Sequence, residues 1–335
     1  MDTDTTDLGA LDGLGLLPPS EDGVFKSLLT RAEAKPVLRD VLGSFLELPV
    51  IDAEVRNVET PIFDIGEKRQ RFDINCKLDG NRQAEVEMQT VAMDGDSTVS
   101  GHRNIKGRAI MNLCDIHAKQ GGRGDAYGSL MQSFQITICG YTVFPDREGF
   151  IDRFSFRDKR GYELSDAVGI VFAELSKLSA VMKKPVGDMT PAEMWAIFFR
   201  YADAPKHRQL LAKITKTRSE IKMATELLTT ISKDETERAN YHTRLVLQRD
   251  NAHTRAVLRR EGHDAGLKEG RVAGLKEGHD AGLNEGLKAG HDAGLKEGRM
   301  EIAKNLLSFN TPIETIAQAT GLSLSELERL RGGKQ

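Results

Sequence analysis

The spacing of apolar positions divides the chain after residue 20 into helix-like and strand-like stretches. Residues 24–45 repeat with helical spacing that is interrupted at Pro36, and a long helical pattern covers residues 97–119. Strand-like patterns lie on both sides of that second helix, at residues 50–58, 70–78, 83–88, 134–144, 150–156 and 169–175. Strands before and after a central helix predict a mixed α/β layered domain, which we place at residues 21–180.

Helical patterns fill residues 181–260, where a capping box at Thr190–Glu193 marks the start of one helix. From Ala204 to Arg260 there are 13 Lys and Arg against 6 Asp and Glu. This basic surplus predicts either a solvated helical surface or a stripe that contacts the DNA backbone. The residues that would make such contacts are Lys213, Lys216, Arg218 and Lys222.

Residues 261–299 form a repeat in which glycine recurs every four residues, ten times from Gly262 to Gly298. A period of four excludes collagen and approximates one helical turn. Ten glycines would destabilise a lone helix by about 10 kcal/mol relative to alanine. The repeat therefore predicts either a helix that packs against another, as in a homo-oligomer formed through residues 262–298, or a partly helical spacer.

The two ends of the chain have their own patterns. Residues 1–20 contain no Lys or Arg and are predicted to be a disordered acidic leader. In residues 300–335, two successive capping boxes, Thr311–Glu314 and Ser323–Glu326, stand on either side of Gly321. This predicts a C-terminal helical hairpin resembling a helix-turn-helix, suited to docking or assembly at least as much as to reading DNA.

Composition narrows the classes of function. The chain has 47 Lys and Arg against 50 Asp and Glu, a net charge of −3. This excludes a protein that coats nucleic acid through a surface that is basic all over. No apolar run approaches the ~18 residues of a membrane span, so no membrane partner is expected. Three widely spaced cysteines without a CxxC pair exclude a disulfide framework and a zinc ribbon. They fit a reducing compartment, and we expect the protein to be cytoplasmic.

Residues 70–89 contain the most informative pattern. Polar and apolar residues alternate with period two on both sides of Asp79-Gly80, which predicts two strands joined by a tight turn. Residues directly opposite each other must share a face of the sheet, and only a three-residue loop at 79–81 meets this condition. Its register pairs Asp73 with Glu87, Arg71 with Gln89, and Asn75 with Glu85.

The carboxylates of Asp73 and Glu87 would then lie about 5 Å apart, and such opposed like charges destabilise a hairpin unless they are neutralised. A hard divalent cation such as Mg²⁺ neutralises them, since one or two carboxylates typically hold it. A bound ion can polarise a phosphoryl oxygen and generate hydroxide for attack on it. The alternative is a solvent-facing polar sheet in which Arg71 and Lys77 compensate the acids.

These residues, taken in order, resemble the Rpn family of recombination-promoting nucleases and transposases. Asp73, followed fourteen residues later by Glu87-Met88-Gln89, resembles the core of the wider PD-(D/E)xK nuclease superfamily. Arg103 lies where the family's central helix begins. The other segments that follow the family's order are DGVFKSLL (22–29), GDAYGSL (124–130), FQITI (134–138), AELSKL (173–178), MTPAEMWAIFF (189–199), the glycine repeat and the C-terminal tail.

The resemblance implies a DNA endonuclease whose PD-(D/E)xK-like mixed sheet is flanked by helices, with Mg²⁺, or Mn²⁺ or Ca²⁺, as cofactor. By position, Asp73 and Glu87 would be the metal ligands. Gln89 would complete the catalytic set at the place where the superfamily has lysine, although it supplies no positive charge. We interpret this difference as a variant mechanism, because the family itself commonly has glutamine there.

Further residues are carried over from the same resemblance. Asp22 and Lys26 on the first helix would line the site, and Lys26 and Arg103 would contact DNA. Gly107-Arg108 departs from the family, which tends to place an aromatic residue in this part of the central helix. This departure concerns substrate handling more than the fold.

Three functions compete at this point. The first is a metal-dependent DNA endonuclease acting in recombination or mobile-element biology. The second is a catalytically inactive nuclease fold that binds DNA or protein, and the third is an assembly protein built on the glycine repeat. Asp73 and Glu87 favour the first, whereas the absence of the superfamily lysine keeps the second open.

Overall fold

In a computed structural model of the chain, the described residues are 15–57, 74–90, 99–120 and 130–332, without the side chains of residues 57 and 99–104. The chain divides into two compact units, of which the first ends at Val246 and the second begins at Leu247. None of the described helices is both long and apolar enough to cross a membrane.

One mixed sheet organises the first unit. Its strands within the described residues are β1 (Ala53–Asn57), β2 (Ile74–Leu78), β3 (Arg82–Gln89), β4 (Gln132–Cys139), β5 (Ile151–Arg157) and β6 (Glu163–Glu174), in the order β1-β2-β3-β4-β6-β5. The β3–β4 and β4–β6 pairs are parallel and the others antiparallel. A parallel pair needs a crossover, and helix α3 (Val99–Ala118) follows β3 and precedes β4. The predicted mixed α/β class is confirmed.

A layer of helices covers the apolar face of the sheet. It contains α1 (Asp22–Thr30), α2 (Lys35–Leu46), α4 (Pro191–Tyr201), α5 (Arg208–Thr217) and α6 (Ser219–Lys233). The sequence predicts that the helical stretch at 24–45 breaks at Pro36. In the structure the break lies earlier, at Arg31–Ala34. Pro36 instead lies in the first turn of α2, where a missing backbone N–H leaves no intrahelical bond unmade.

The larger hydrophobic cluster of the first unit spans the boundary that the sequence predicts at residue 180. Trp195, Phe198 and Phe199 of α4 are fully buried in the same cluster as Phe25 and Val86, and the rings of Phe25 and Phe199 are 5.4 Å apart. Helix α4 is apolar on nearly all sides, which is typical of a helix enclosed by its neighbours. The helices after residue 180 therefore share the core of the sheet. The predicted capping box at Thr190–Glu193 is confirmed.

Helix α7 (Glu235–Ser308) contains the entire glycine repeat in helical conformation. A Cβ atom built on any of the ten repeat glycines meets nothing within 4 Å among the described residues. Within the second unit, no described residue therefore packs against the glycines of the repeat. Homo-oligomerisation and a spacer role both stay predictions.

The second unit ends in a small helical cluster built from the end of α7, α8 (Ile313–Thr320) and α9 (Leu324–Gly332). Gly321 ends α8 in the left-handed region with φ of 69°, as the sequence predicts. The Ser323–Glu326 capping box forms, with the Ser323 amide donating to Glu326 Oε2 at 3.0 Å. The predicted capping box at Thr311–Glu314 is wrong, because α8 begins after Pro312 and has no side-chain cap.

Candidate functional site

The β2–β3 hairpin has the predicted register. A three-residue turn connects the strands, with Gly80 and Asn81 at φ of 67° and 57°, and Asn75 stands opposite Glu85. Glycine and asparagine are the residues that tolerate this left-handed conformation most readily. Asp73 and Arg71 lie outside the described residues. Their pairings with Glu87 and Gln89 therefore stay predictions.

The polar face of β3 is buried. Gln83, Glu85 and Glu87 are 3%, 0% and 1% exposed, while the alternate residues of β3 face the main hydrophobic core. The adjoining strand β4 extends this buried polar face with Ser133, Gln135 and Thr137, which stand beside Gln83, Glu85 and Glu87 in the parallel register. The alternative of a solvent-facing polar sheet is therefore wrong for β3.

Helix α3 covers this face and matches it turn by turn. The Arg108 guanidinium lies 2.7 Å from Glu87 Oε1, and Asn112 Nδ2 donates to Glu85 Oε1 at 2.9 Å. One turn further on, Gln83 Nε2 donates to the carbonyl oxygen of Ile116 at 2.8 Å. Four helical residues advance about 6 Å and two strand residues about 6.8 Å, so successive turns of α3 meet successive polar residues of β3. We call these contacts the polar ladder.

The polar ladder explains how two carboxylates are accommodated in the interior. A buried charge is strongly unfavourable unless it is paired or hydrogen-bonded. Arg108 compensates Glu87, and the Asn112 amide supports Glu85. Sequence reasoning missed both roles. The signal was present, because Arg108 and Asn112 are four residues apart on a helix whose buried positions include Ile105 and Ala109.

Gln89 ends β3 at the carboxyl edge of the parallel strands. Its carbonyl oxygen accepts a hydrogen bond from the Gly140 amide at 2.9 Å. A Cβ at residue 140 would lie 3.0 Å from the carbonyl oxygen of Thr90, so a larger residue would push the two chain segments apart by a few tenths of an ångström. The backbone that positions Gln89 is therefore tightly held.

The other residues implied by the resemblance lie on separate elements. Lys26 pairs with Asp22 at 3.1 Å, one turn apart on α1, in the helical layer on the apolar side of the sheet. Glu87 faces the opposite side, under α3. Arg103 belongs to α3, but its side chain is outside the described part of the structure. The proposed roles of Lys26, Asp22 and Arg103 stay predictions.

The basic helical stretch, residues 204–260, contains two kinds of cation. Lys213 and Lys216 are exposed on α5, and Lys222 is partly exposed on α6. Arg218, in contrast, binds the carboxylate of Asp40, with its Nε 2.6 Å from Oδ2. This hydrogen bond raises the pKa of Arg218, and Trp195 Nε1 donates to the same carboxylate at 2.7 Å. Asp40 of α2 therefore binds both α4, through Trp195, and the start of α6, through Arg218.

The donor chemistry at the end of β3 fits a hard divalent cation. Carboxylate oxygens are the ligands that Mg²⁺ prefers, and Glu87 supplies them beside the amide-bearing Gln89. Among the described residues, no group of three or more His, Cys, Asp or Glu side chains surrounds a metal position. Asp73, the second predicted metal ligand, lies outside the described residues, so the pairing of the two ligands stays a prediction.

The fold and this site define a class of protein. A mixed sheet, a helix between two parallel strands and a buried Glu87 two residues before Gln89 form an α/β domain with the features that the resemblance to nucleases implies. The family model described as PD-(D/E)XK nuclease family transposase matches residues 19–256. The match covers more than half of the chain, so the chain belongs to this family, and the resemblance drawn from the sequence is confirmed.

No curated protein and no solved structure matches the chain. Nucleases of the PD-(D/E)XK type generally use divalent metals. The family thus indicates a nuclease-like function, and the residues that perform it in this chain are a matter for proposal.

Proposed function

We propose that the protein is a metal-dependent DNA endonuclease that hydrolyses phosphodiester bonds in DNA recombination or in the movement of a mobile element. The observation that carries this proposal is the fully buried Glu87 on β3, in a chain whose family match runs from residue 19 to 256. The confirmed Asn75–Glu85 pairing supports the next pair in the same register, Asp73 with Glu87.

Asp73 and Glu87 would hold the metal, with Mg²⁺ as the expected ion. When bound, such an ion polarises a phosphoryl oxygen and lowers the pKa of its bound water. Gln89 can orient that water or the phosphate through its amide, but it carries no charge. Arg108 brings a positive charge to Glu87 from α3, so the chain has a cation at the site although residue 89 is not lysine.

Nicking of supercoiled plasmid tests this function. The full-length protein is incubated with plasmid in Mg²⁺, Mn²⁺, Ca²⁺ or EDTA, and the open-circular product is measured over time. We expect nicking in Mg²⁺ or Mn²⁺ and none in EDTA. Equal nicking in EDTA would contradict metal dependence, and no nicking in any metal would contradict the endonuclease.

A catalytically inactive nuclease fold that binds DNA or protein is the second candidate. The contact between Arg108 and Glu87 favours it, because a protein cation already neutralises the carboxylate that a metal would need. This candidate predicts binding of duplex DNA, or of a protein partner, without nicking in any metal. Calorimetric titration of the protein with Mn²⁺ would separate the two, since the inactive fold predicts no binding that depends on Glu87.

A further inference from the structure

A groove of about 590 Å³ lies between the β1–β2 edge of the sheet and the end of α3. Three cations from three different elements line it: Arg56 of β1, Lys77 of β2, and Lys119 just after α3. The side-chain amide of Asn75 contributes a hydrogen-bonding group, whereas Gln83 Nε2, which also lines the groove, already donates to the carbonyl oxygen of Ile116. No carboxylate is among the described residues that line the groove, which we call the basic groove.

A break in the strand register brings Arg56 to this groove. β1 and β2 pair Val55 with Cys76 and then Asn57 with Asn75, so Arg56 is an extra residue on β1. Such a bulge re-aims a side chain and bends its strand. Arg56 is exposed and lines the basic groove together with Lys77. Two cations from neighbouring strands therefore share one concave surface.

Two carboxylates lie near these cations but outside the lining. Glu54 stands opposite Lys77 in the register of β1 and β2, and Asp115 pairs with Lys119 at 2.5 Å. Lys119 is thus partly neutralised, and Arg56 with Lys77 supply the main positive charge of the groove. The chain as a whole has a net charge of −3. An anion would therefore be attracted by the local clustering of positive charge in the groove and not by the overall charge of the protein.

The amides connect the basic groove to the polar ladder. Within the described part of the chain, Asn75 Oδ1 is buried and accepts no hydrogen bond, and Asn75 stands directly opposite Glu85. Asn75 lines the groove, and its side-chain NH₂ group can donate to an anionic oxygen there. Gln83 lines the groove, and Glu87 is four residues further along β3, about 13 Å away.

We propose that the basic groove binds the phosphate backbone of duplex DNA at a distance from the phosphate that is cleaved. A separation of about 13 Å corresponds to roughly four nucleotides at 3.4 Å of rise per nucleotide. This inference rests on the proposed endonuclease function and adds a DNA contact that is separate from Asp73, Glu87 and Gln89. Its residues are also distinct from the basic helical stretch.

The test uses two double variants of the full-length protein that remove equal charge. Arg56→Gln with Lys77→Gln changes the groove, and Lys159→Gln with Lys183→Gln changes two exposed cations elsewhere in the first unit. Binding of a fluorescently labelled duplex is followed by anisotropy in EDTA over a range of salt concentrations. Each lost phosphate contact lowers the log–log salt slope by about 0.9, so the groove variant should lose about 1.8 and the control nothing.

Nicking kinetics separate binding from chemistry. The groove variant should raise KM for the plasmid and leave kcat unchanged, because its residues do not touch the reacting phosphate. An unchanged salt slope in a protein that binds and nicks DNA would overturn the groove and leave the endonuclease standing. A lowered slope without nicking by the wild type would support the groove and overturn the endonuclease. A wild type that does not bind duplex DNA would overturn both, and thermal melting of each variant confirms that it folds.

Discussion

Replacing Arg108 by methionine tests how the buried Glu87 is compensated. Removing one partner of a buried ion pair destabilises a protein by about 3–5 kcal/mol. The Glu87 side chain is 1% exposed but that of Arg108 is 28% exposed, so water lowers the expected loss to about 2–3 kcal/mol. For a unit of this size, the melting temperature in EDTA should fall by roughly 4–12 °C.

The same variant reports on metal binding. Arg108 repels a cation at Glu87, so Arg108→Met should bind Mg²⁺ or Mn²⁺ more tightly than the wild type. Ligand at 100 times its Kd stabilises the folded state by about 2.7 kcal/mol, which would offset most of the loss. Adding Glu87→Gln to Arg108→Met should restore stability in EDTA and abolish the response to metal, because the buried charge and the ligand are both removed.

The assay is thermal unfolding in EDTA and over a series of Mg²⁺ and Mn²⁺ concentrations. Arg160→Met is the control, since its ion pair with Asp158 is on the surface and its side chain is 89% exposed. A surface pair contributes about 0–1 kcal/mol, so this control should barely move. A melting temperature for Arg108→Met equal to that of the wild type in EDTA would refute the ion-pair argument. An equal metal response in the double variant would refute metal binding at Glu87.

Four further predictions concern other parts of the chain. Changing Lys213, Lys216 and Lys222 of the basic helical stretch to glutamine should lower the log–log salt slope of DNA binding by about 2.7 if all three contact phosphates. Arg218 is left intact because it binds Asp40. An unchanged slope would favour a solvated surface. The exposed Cys114 should react with a thiol reagent at neutral pH and Cys76 should not, as mass spectrometry of labelled peptides would show. Burial raises the pKa of Cys76 from 9.0 to about 12. The contribution of this neutral thiol to the free energy of unfolding is therefore full below pH 9 and is lost as pH rises toward 12. Unfolding free energies measured at a series of pH values would show this loss. Deleting residues 262–298 should lower the mass measured by light scattering and leave single-site nicking intact, whereas identical masses would leave only a spacer.

The hairpin register could be predicted from the sequence because it depends on local rules. Alternation of polar and apolar residues fixes which residues share a face, and the turn at Gly80 and Asn81 fixes the loop length. Only one register satisfied both conditions, and the structure has it at Asn75 and Glu85. Long-range packing played no part in that inference.

The burial of the polar face could not be predicted in the same way. A strand pattern shows that Glu85 and Glu87 share a face, but it does not show what covers that face. The answer depends on α3, where Arg108 and Asn112 meet the two carboxylates across more than twenty residues of sequence. From the sequence alone, Arg108 was only a departure from the family pattern.

The extent of the hydrophobic core could not be predicted from local sequence patterns either. The sequence separates residues 181–260 from the sheet because strand patterns end there and basic helices begin. Burial of Phe199 against Phe25 depends on the return of α4 to the sheet, which no spacing within α4 indicates. The Asp40–Arg218 pair is likewise formed between helices far apart in sequence, and it places a predicted DNA contact in a structural role.

The proposed function assigns metal-dependent cleavage to Asp73 and Glu87. The most direct measurement is the rate of plasmid nicking in Mg²⁺ by Asp73→Asn and Glu87→Gln, compared with Glu226→Gln, which changes an exposed carboxylate on α6. Loss of a catalytic metal ligand removes several kcal/mol of transition-state stabilisation. We expect both site variants to lose nicking while they still fold and bind duplex DNA, and we expect Glu226→Gln to nick at the wild-type rate. Nicking at the wild-type rate by either site variant would contradict the assignment of Asp73 and Glu87.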